Sequence, residues 1–373
     1  MTGYKLYQGH ALEVLKTLPD ESVDMCMTSP PYWGLRSYKT EPIDWGDWTG
    51  ELGLEPKIEL YISHLIQIFS EVKRVLKSTG TCWVNIDDSY AGSWGAMSHD
   101  LGNKGKRTGY VERPNTSYPQ STPAKSLCLI PSRFALAMVN DNWILRNDLV
   151  WHKPNPMPES VKDRFTTSWE HLFFFSKSQK YYFEQQFEPA YDWGTRDRSN
   201  GKYKEVGLAN GLENDTNPLG RNFRDVWTIP TQGYRDAHFA TYPRKLCETP
   251  IKAGCPIVCK KCGRPRELVY ERTGHINKRE PAHAPNNCPT KVDSTGWGPV
   301  EVAKGYTDCG CNVGFEGGVV LDPFAGSGTT AEEAISQGKK AILIELNPKY
   351  CELIEKRLSK GIKMYLIPHL VSD

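Results

Sequence analysis

Residues 318–337 constrain the fold more than any other stretch of this chain. Gly318-Val319-Val320-Leu321-Asp322 is an apolar run of strand length, Pro323 to Gly328 is a turn with two glycines, and Thr330 to Gln337 has helical spacing. A strand apolar on both faces belongs inside a mostly parallel sheet with helices on either side. The glycine turn lets backbone amides come close to a ligand, and the helix N-terminus behind it favours negative charge. About 17 residues later the next strand ends in Glu345, placed to accept hydrogen bonds from the two hydroxyls of a ribose. The turn lacks both the third glycine of the dinucleotide fingerprint and the Gly-Lys-Ser/Thr ending of a phosphate loop. At this point a generic nucleotide-binding domain and a purely structural turn both stay open.

A second turn, Thr28-Ser29-Pro30-Pro31-Tyr32, lies some 290 residues upstream. It follows Ser22 to Met27, which alternates like a strand. Two prolines fix φ near −65° and donate no hydrogen bond, so the carbonyls of Ser29 and Pro30 are held in place as acceptors. A hydroxyl precedes them and an aromatic ring follows. Such a turn offers acceptors for an amino group and a flat surface for a base; taken alone, it reads equally as a proline cap on a strand.

The remaining pattern extends the α/β reading. Strands are expected at Tyr4–Tyr7, Thr81–Ile86, Ile144–Trp151, Trp169–Ser176 and Ala341–Leu346. Helices are expected at His10–Leu18, Leu60–Leu76, Pro131–Asn140, Pro243–Ala253 and Pro348–Leu358. Strand–helix alternation at both ends of the chain argues for a doubly wound, mostly parallel sheet. Residues 91–126 are polar and aperiodic, as expected of a mobile loop. With 39% apolar and 24% charged residues the composition is that of an ordinary soluble protein, and a net charge of +2 leaves any nucleic-acid contact to local basic patches. No apolar run approaches the roughly 18 residues of a membrane span, and the N-terminus lacks a signal-peptide core, so a cytoplasmic protein is expected.

The glycine motif Asp322-Pro323-Phe324-Ala325-Gly326-Ser327-Gly328-Thr329-Thr330, its strand-end Glu345 and the upstream Thr-Ser-Pro-Pro-Tyr resemble those of DNA amino-methyltransferases. Having the proline motif first and the glycine motif last resembles the permuted β group of that family, the N(4)-cytosine/N(6)-adenine methylases of bacterial or phage restriction-modification type. The resemblance runs from about Lys5 to Leu358, insertions excluded. It implies a seven-stranded, permuted methyltransferase sheet in double-stranded DNA-modifying service. It also implies that Asp322, Phe324, Gly326, Ser327, Gly328, Thr329 and Glu345 hold S-adenosylmethionine, joined by His238, Ala240 and Pro243 of the segment before the glycine strand. Ser29, Pro30, Pro31 and Tyr32 become catalytic. Ser29 Oγ and the Pro30 carbonyl would accept the two N–H bonds of a flipped-out base, aiming the nitrogen lone pair at the methyl group, while the Tyr32 ring stacks on the base. In this family the Ser-Pro-Pro-Tyr form goes mostly with cytosine and the Asp form mostly with adenine. Adenine is therefore the alternative substrate, and a non-catalytic zinc-containing DNA-binding module the alternative class. A cognate restriction endonuclease is a possible partner, and the enzyme would be a monomer or homodimer.

Two insertions interrupt the catalytic fold. The expected division is 1–184 (catalytic half), 185–235 (target recognition), 236–254 (cofactor helix), 255–317 (cysteine-rich) and 318–373 (cofactor half). Lys153 and Arg164, in a proline-rich loop, and Arg196, Arg198, Arg221 and Arg224, in the polar insertion, are the candidate DNA contacts. Six of the 11 cysteines fall between Cys255 and Cys311, counting both ends. Cys259-Lys260-Lys261-Cys262-Gly263 is a knuckle, and Cys309-Gly310-Cys311 follows after 46 residues. Four thiolates in two pairs suit a structural zinc in a zinc-ribbon-like insertion, with Cys255 and Cys288 as substitutes.

Overall fold

The structure is a computed structural model and describes residues 3–34, 42–91, 122–188, 221–232, 242–273 and 300–366. The chain divides into two units. The first comprises Met1–Phe183, Asp225–Pro265 and Val313–Asp373. It carries strands β1 (Tyr4–Gln8), β2 (Val23–Thr28), β3 (Leu76–Ile86), β4 (Ile144–His152), β5 (Trp169–Ser176), β6 (Val226–Thr228), β7 (Val319–Asp322) and β8 (Lys340–Glu345). Its helices are α1 (Ala11–Thr17), α2 (Ile58–Val75), α3 (Ile130–Asn140), α4 (Arg244–Gly254), α5 (Thr329–Ser336) and α6 (Pro348–Leu366).

The strands form one sheet in the order β1-β8-β7-β2-β3-β5-β4-β6. Only β5 runs antiparallel to its neighbours, pairing with β3 and β4. The N-terminal proline-turn strand β2 therefore lies beside the C-terminal glycine-turn strand β7, with Val320 opposite Met25 and Leu321 opposite Cys26. This adjacency is the physical content of the permutation.

Strand β2 supplies both halves of the core, alternating from Met25 onward after an irregularity between Val23 and Met25. Val23 and Cys26 face one apolar cluster with α1, α2 and α3, while Met25 and Met27 face another with α4, α5 and α6. The sheet is thus covered on both sides, as a doubly wound fold requires. Helix α2 forms because Ile58, Tyr61, Ile62, Leu65, Ile68, Phe69, Val72 and Val75 share one stripe, all of them buried. Each such fully buried Leu, Ile or Phe contributes about 1.5–3 kcal/mol.

Two boundaries and one count differ from expectation. The strand expected at Thr81 begins at Leu76. It follows α2 directly, and its ladder with β2 slips between Val23 and Met25 before resuming at Thr81. The last helix continues to Leu366. The sheet has eight strands, where seven are expected. The eighth, β6, is an edge strand inside 185–235, anchored by buried Trp227 between exposed Val226 and Thr228. Three residues are too few to leave a period in the sequence.

The second unit comprises Glu184–Arg224 and Arg266–Asn312. Among its described residues, Leu268–Thr273 pairs with Val300–Tyr306 as an antiparallel hairpin, and Phe187–Glu188 pairs with Arg221–Asn222.

Candidate active site

The C-terminal ends of β7 and β2 are tied by a buried carboxylate. Asp322 is fully buried and takes four donors: Thr28 Oγ1 (2.6 Å), the Phe324 amide (3.1 Å), Thr330 Oγ1 (2.6 Å) and Tyr242 Oη (3.1 Å). Burial raises its pKa against these bonds. Asp322, expected among the residues that hold the cofactor, thus spends both oxygens on the protein and locks the two turns into one rim.

Glycine is required twice in the turn above it. Gly326 and Gly328 have φ of +51° and +80°, where side chains are strained. A Cβ at Gly328 would also meet Ile354 of α6 at 3.1 Å. The Gly326 amide donates to Glu345 Oε2 (2.7 Å), and the Asn347 amide donates to Glu345 Oε1 (2.8 Å). Each carboxylate oxygen accepts one amide in this way, leaving capacity for further donors. Burial pushes the Glu345 carboxyl up to about 7. Ser327 and Thr329 face away from the turn's open side: Arg357 of α6 donates to the hydroxyls of both, at 3.0 Å each.

A pocket opens on this rim. Pro323, Phe324, Gly326 and Glu345 line it from the glycine turn, and Ser29 and Pro31 line it from the proline turn. Asp322, Ser327, Gly328 and Thr329 stand behind that lining. Ile344 and Leu346 flank Glu345 in the lining, and the remaining wall comes from residues that the sequence reading missed: Gly9, His10 and Ala11 after β1, and Ile43, Glu51 and Leu52 from the loop before α2. Strand β1 pairs with β8 so that Gln8 lies opposite Glu345, which puts Gly9 and His10 at the same rim. Burial lowers the His10 pKa to about 4, so the ring is neutral.

The proline turn is held from several sides. Tyr61 Oη of α2 donates to the Pro31 carbonyl (2.7 Å), and the Gly34 amide donates to the Gly53 carbonyl (2.7 Å). The loop carrying Gly53 is itself pinned by His64, whose ring nitrogens meet Glu55 and Asp47 at 2.9 Å each. Trp45 stacks on that ring at 4.3 Å. Burial opposes a charge on His64, but the two carboxylates outweigh it and raise its pKa. Tyr32 Oη donates to Glu170 Oε2 (2.7 Å) and lies 3.2 Å from Asn85 Oδ1. Asp87, at the end of β3, is pushed up to about 7 by burial and by the neighbouring Glu170 charge.

The other expected DNA and cofactor contacts differ in their surroundings. Lys153 does not face outward for phosphate; its ammonium is bonded to Glu170, with its side chain 14% exposed. Arg164 lies over the Tyr90 ring at 3.9 Å and pairs with Glu159. Arg221 and Arg224 both pair with Glu188, at 2.9 and 3.2 Å. Pro243 is buried as the N-cap of α4, beside Tyr242, whose hydroxyl reaches Asp322. Arg196, Arg198, His238 and Ala240, like most of 91–126, lie outside the described residues.

Of the four expected zinc ligands, Cys259 and Cys262 belong to the first unit and Cys309 and Cys311 to the second. The Lys261 amide donates to Cys259 Sγ (3.4 Å), and Gly263 turns the knuckle at φ +66°. Cys255 belongs to the apolar core with no exposure and is not a substitute ligand. Cys288 lies outside the described residues.

The sequence matches the N6/N4 family model described as DNA methylase over residues 23–257 and 299–356. Those spans include both turns, both strands that carry them and Glu345. The chain belongs to the DNA methylase family. Within that family it is 34% identical over 359 residues to the type II methyltransferase M.Cfr9I of Citrobacter freundii, covering 96% of this chain and 88% of that one. It is 33% identical over 354 residues to M.SmaI of Serratia marcescens, covering 95% and 90%. A solved structure, the PvuII DNA methyltransferase (cytosine-N4-specific), shares the fold with a TM-score of 0.50 at 18% identity, over 97% of this chain and 91% of that one. The DNA methylase is thus an enzyme of the amino-methylating class on a doubly wound sheet, and the rim joining β2 and β7 is its candidate active site. Among the described residues no helix is long and apolar enough to cross a membrane.

Proposed function

We propose that this DNA methylase transfers a methyl group from S-adenosylmethionine to the exocyclic amino group of a flipped-out cytosine, giving N(4)-methylcytosine in double-stranded DNA. One observation carries the reading: Ser29 and Pro31 line the same pocket as Phe324, Gly326 and Glu345. A methyl donor in the glycine half and an amine at the proline half would therefore meet. The residues suit the donor. Glu345 has acceptor capacity on both oxygens for ribose hydroxyls, Phe324 supplies apolar surface, and Gly326 lets the backbone come close. When bound, S-adenosylmethionine supplies an electrophilic methyl group.

The chain's own residues supply positioning. Ser29 Oγ and the Pro30 carbonyl accept the two N–H bonds of the amine, so the nitrogen turns toward tetrahedral geometry with its lone pair on the pocket side. The target base leaves the duplex to reach them and rests against Tyr32. Serine at position 29 supports cytosine over adenine. Arg164, Arg221 and Arg224, with Arg196 and Arg198, supply cationic groups for DNA phosphate. A partner restriction endonuclease reading the same site, and a cytoplasmic setting for a monomer or homodimer, belong to the same proposal.

Expression in a methylation-free bacterial host, followed by modification-sensitive sequencing, tests it. N(4)-methylcytosine at one short motif is the expected result; N(6)-methyladenine would transfer the reading to the other base.

Four thiolates in two pairs, Cys259 with Cys262 and Cys309 with Cys311, support a structural zinc. Purified protein is expected to carry one zinc per chain and to lose thermal stability with chelator. Protein that lacks stoichiometric metal and ignores chelator ends the zinc assignment.

A further inference from the structure

Glu170 has more partners than a sheet residue needs. It sits on β5 with Leu172 and Phe174 on the same strand face, both in the apolar cluster, yet it is a carboxylate at 8% exposure. Its register partner on β4 is Trp151. Oε2 accepts from Tyr32 Oη (2.7 Å) and Asn85 Nδ2 (2.9 Å), and Oε1 accepts from Lys153 Nζ. Burying a carboxylate is costly unless it is hydrogen-bonded, and here three donors, one of them cationic, engage both oxygens. An apolar residue would serve packing as well at no such cost.

The direction of the hydrogen bonds reveals a use. A phenol carries one proton. Tyr32 Oη is 2.7 Å from Glu170 and 3.2 Å from Asn85 Oδ1, so the carboxylate takes it. The phenolic oxygen is then an acceptor, and Ser29 Oγ lies 3.5 Å from it as the donor. A serine whose proton points to Tyr32 presents only lone pairs to the pocket.

We infer that Glu170 is a positioning residue for methyl transfer: acting through the Tyr32 hydroxyl, it turns the Ser29 proton away from the pocket so that Ser29 Oγ can only accept from the target amine. The chain of donation runs from amine to Ser29, from Ser29 to Tyr32 and from Tyr32 to Glu170. Lys153 and Asn85 keep the carboxylate in place. This inference rests on the reading that the proline turn receives an exocyclic amine.

The test is a double-variant cycle on the full-length enzyme. Tyr32→Phe, Glu170→Gln and the pair are compared by single-turnover methyl transfer at saturating DNA and cofactor, with cofactor affinity and unfolding midpoint measured alongside. Each single variant is expected to lose on the order of 10- to 100-fold in rate. Cofactor affinity should stay within about threefold, because Glu170 lies outside the pocket lining. The pair should be no slower than Tyr32→Phe alone, since both remove one relay. Multiplying losses would mark Glu170 as merely structural and overturn the inference, as would a wild-type rate in either single variant. If Glu170→Gln does not fold, Tyr32→Phe decides alone, because Glu170 there keeps Asn85 and Lys153. Ser29→Ala separates the two layers: full activity in that variant overturns the amine reading itself, whereas an inactive Ser29→Ala beside a fully active Tyr32→Phe overturns only the relay.

Discussion

The two turns that meet at the pocket are stiffened in opposite ways. The glycine turn uses conformations other residues avoid, with Gly326 and Gly328 at positive φ, and it needs neighbours to select them. Asp322 below, Glu345 beside and Arg357 behind provide that selection. The proline turn has little freedom to lose, since two rings set φ before folding. Its neighbours instead fix where it points, through Tyr61 on the Pro31 carbonyl and Glu170 on Tyr32. A turn that grips a cofactor by its backbone needs glycine, and a turn that presents acceptors to an incoming amine gains from rigidity. The difference predicts separable defects.

The largest effect is expected at Ser29. Ser29→Ala should lower single-turnover methyl transfer about 100- to 1000-fold, with cofactor affinity, measured by calorimetry, nearly unchanged. Loss of cofactor binding at full turnover would erase the division of labour between the turns. Gly328→Ala comes next and should behave in the opposite sense. Positive φ costs about 1–2 kcal/mol, and Ile354 must also move. Denaturant unfolding should show that loss, and cofactor should bind about tenfold more weakly. Unchanged stability would show that the turn does not need its glycine.

Glu345 gives a pH signature. Its carboxyl is pushed up to about 7 by burial, so the free protein is more stable with the group protonated. That contribution is complete below the ordinary glutamate value and is lost as pH rises through about 7. Cofactor affinity should move the other way, rising over the same window as the carboxylate becomes available to ribose hydroxyls. Titration calorimetry at several pH values checks this, and Glu345→Gln should flatten the profile while weakening binding about tenfold. The smallest effect belongs to Pro31→Ala. It should cost roughly 0.4–1 kcal/mol, mostly by freeing the unfolded chain, because Tyr61 still holds the carbonyl. A loss as large as that of Gly328→Ala would make the two turns equivalent.

Much of this was legible in the amino-acid pattern. Both turns, the strands before them, the helices after them and Glu345 announce themselves locally, because proline, glycine and apolar period act within a few residues. The cysteine pairs are legible for the same reason. Side-chain direction was not. Lys153 reads as a surface cation until Glu170 is seen to face it, and Asp322, Ser327 and Thr329 read as ligand contacts until Thr28, Tyr242 and Arg357 are seen to occupy them.

The sequence by itself determined that a glycine turn and a proline turn would end buried parallel strands in a methyltransferase-type sheet. Only the tertiary structure decided that β2 and β7 are neighbours, that β1 brings Gly9 and His10 to the rim, and that Glu170 stands beneath Tyr32. The physical reason is that dihedral preference and hydrophobic period are properties of short segments. Strand order, and the hydrogen bonds formed across it by residues hundreds of positions apart, exist only once the sheet has assembled.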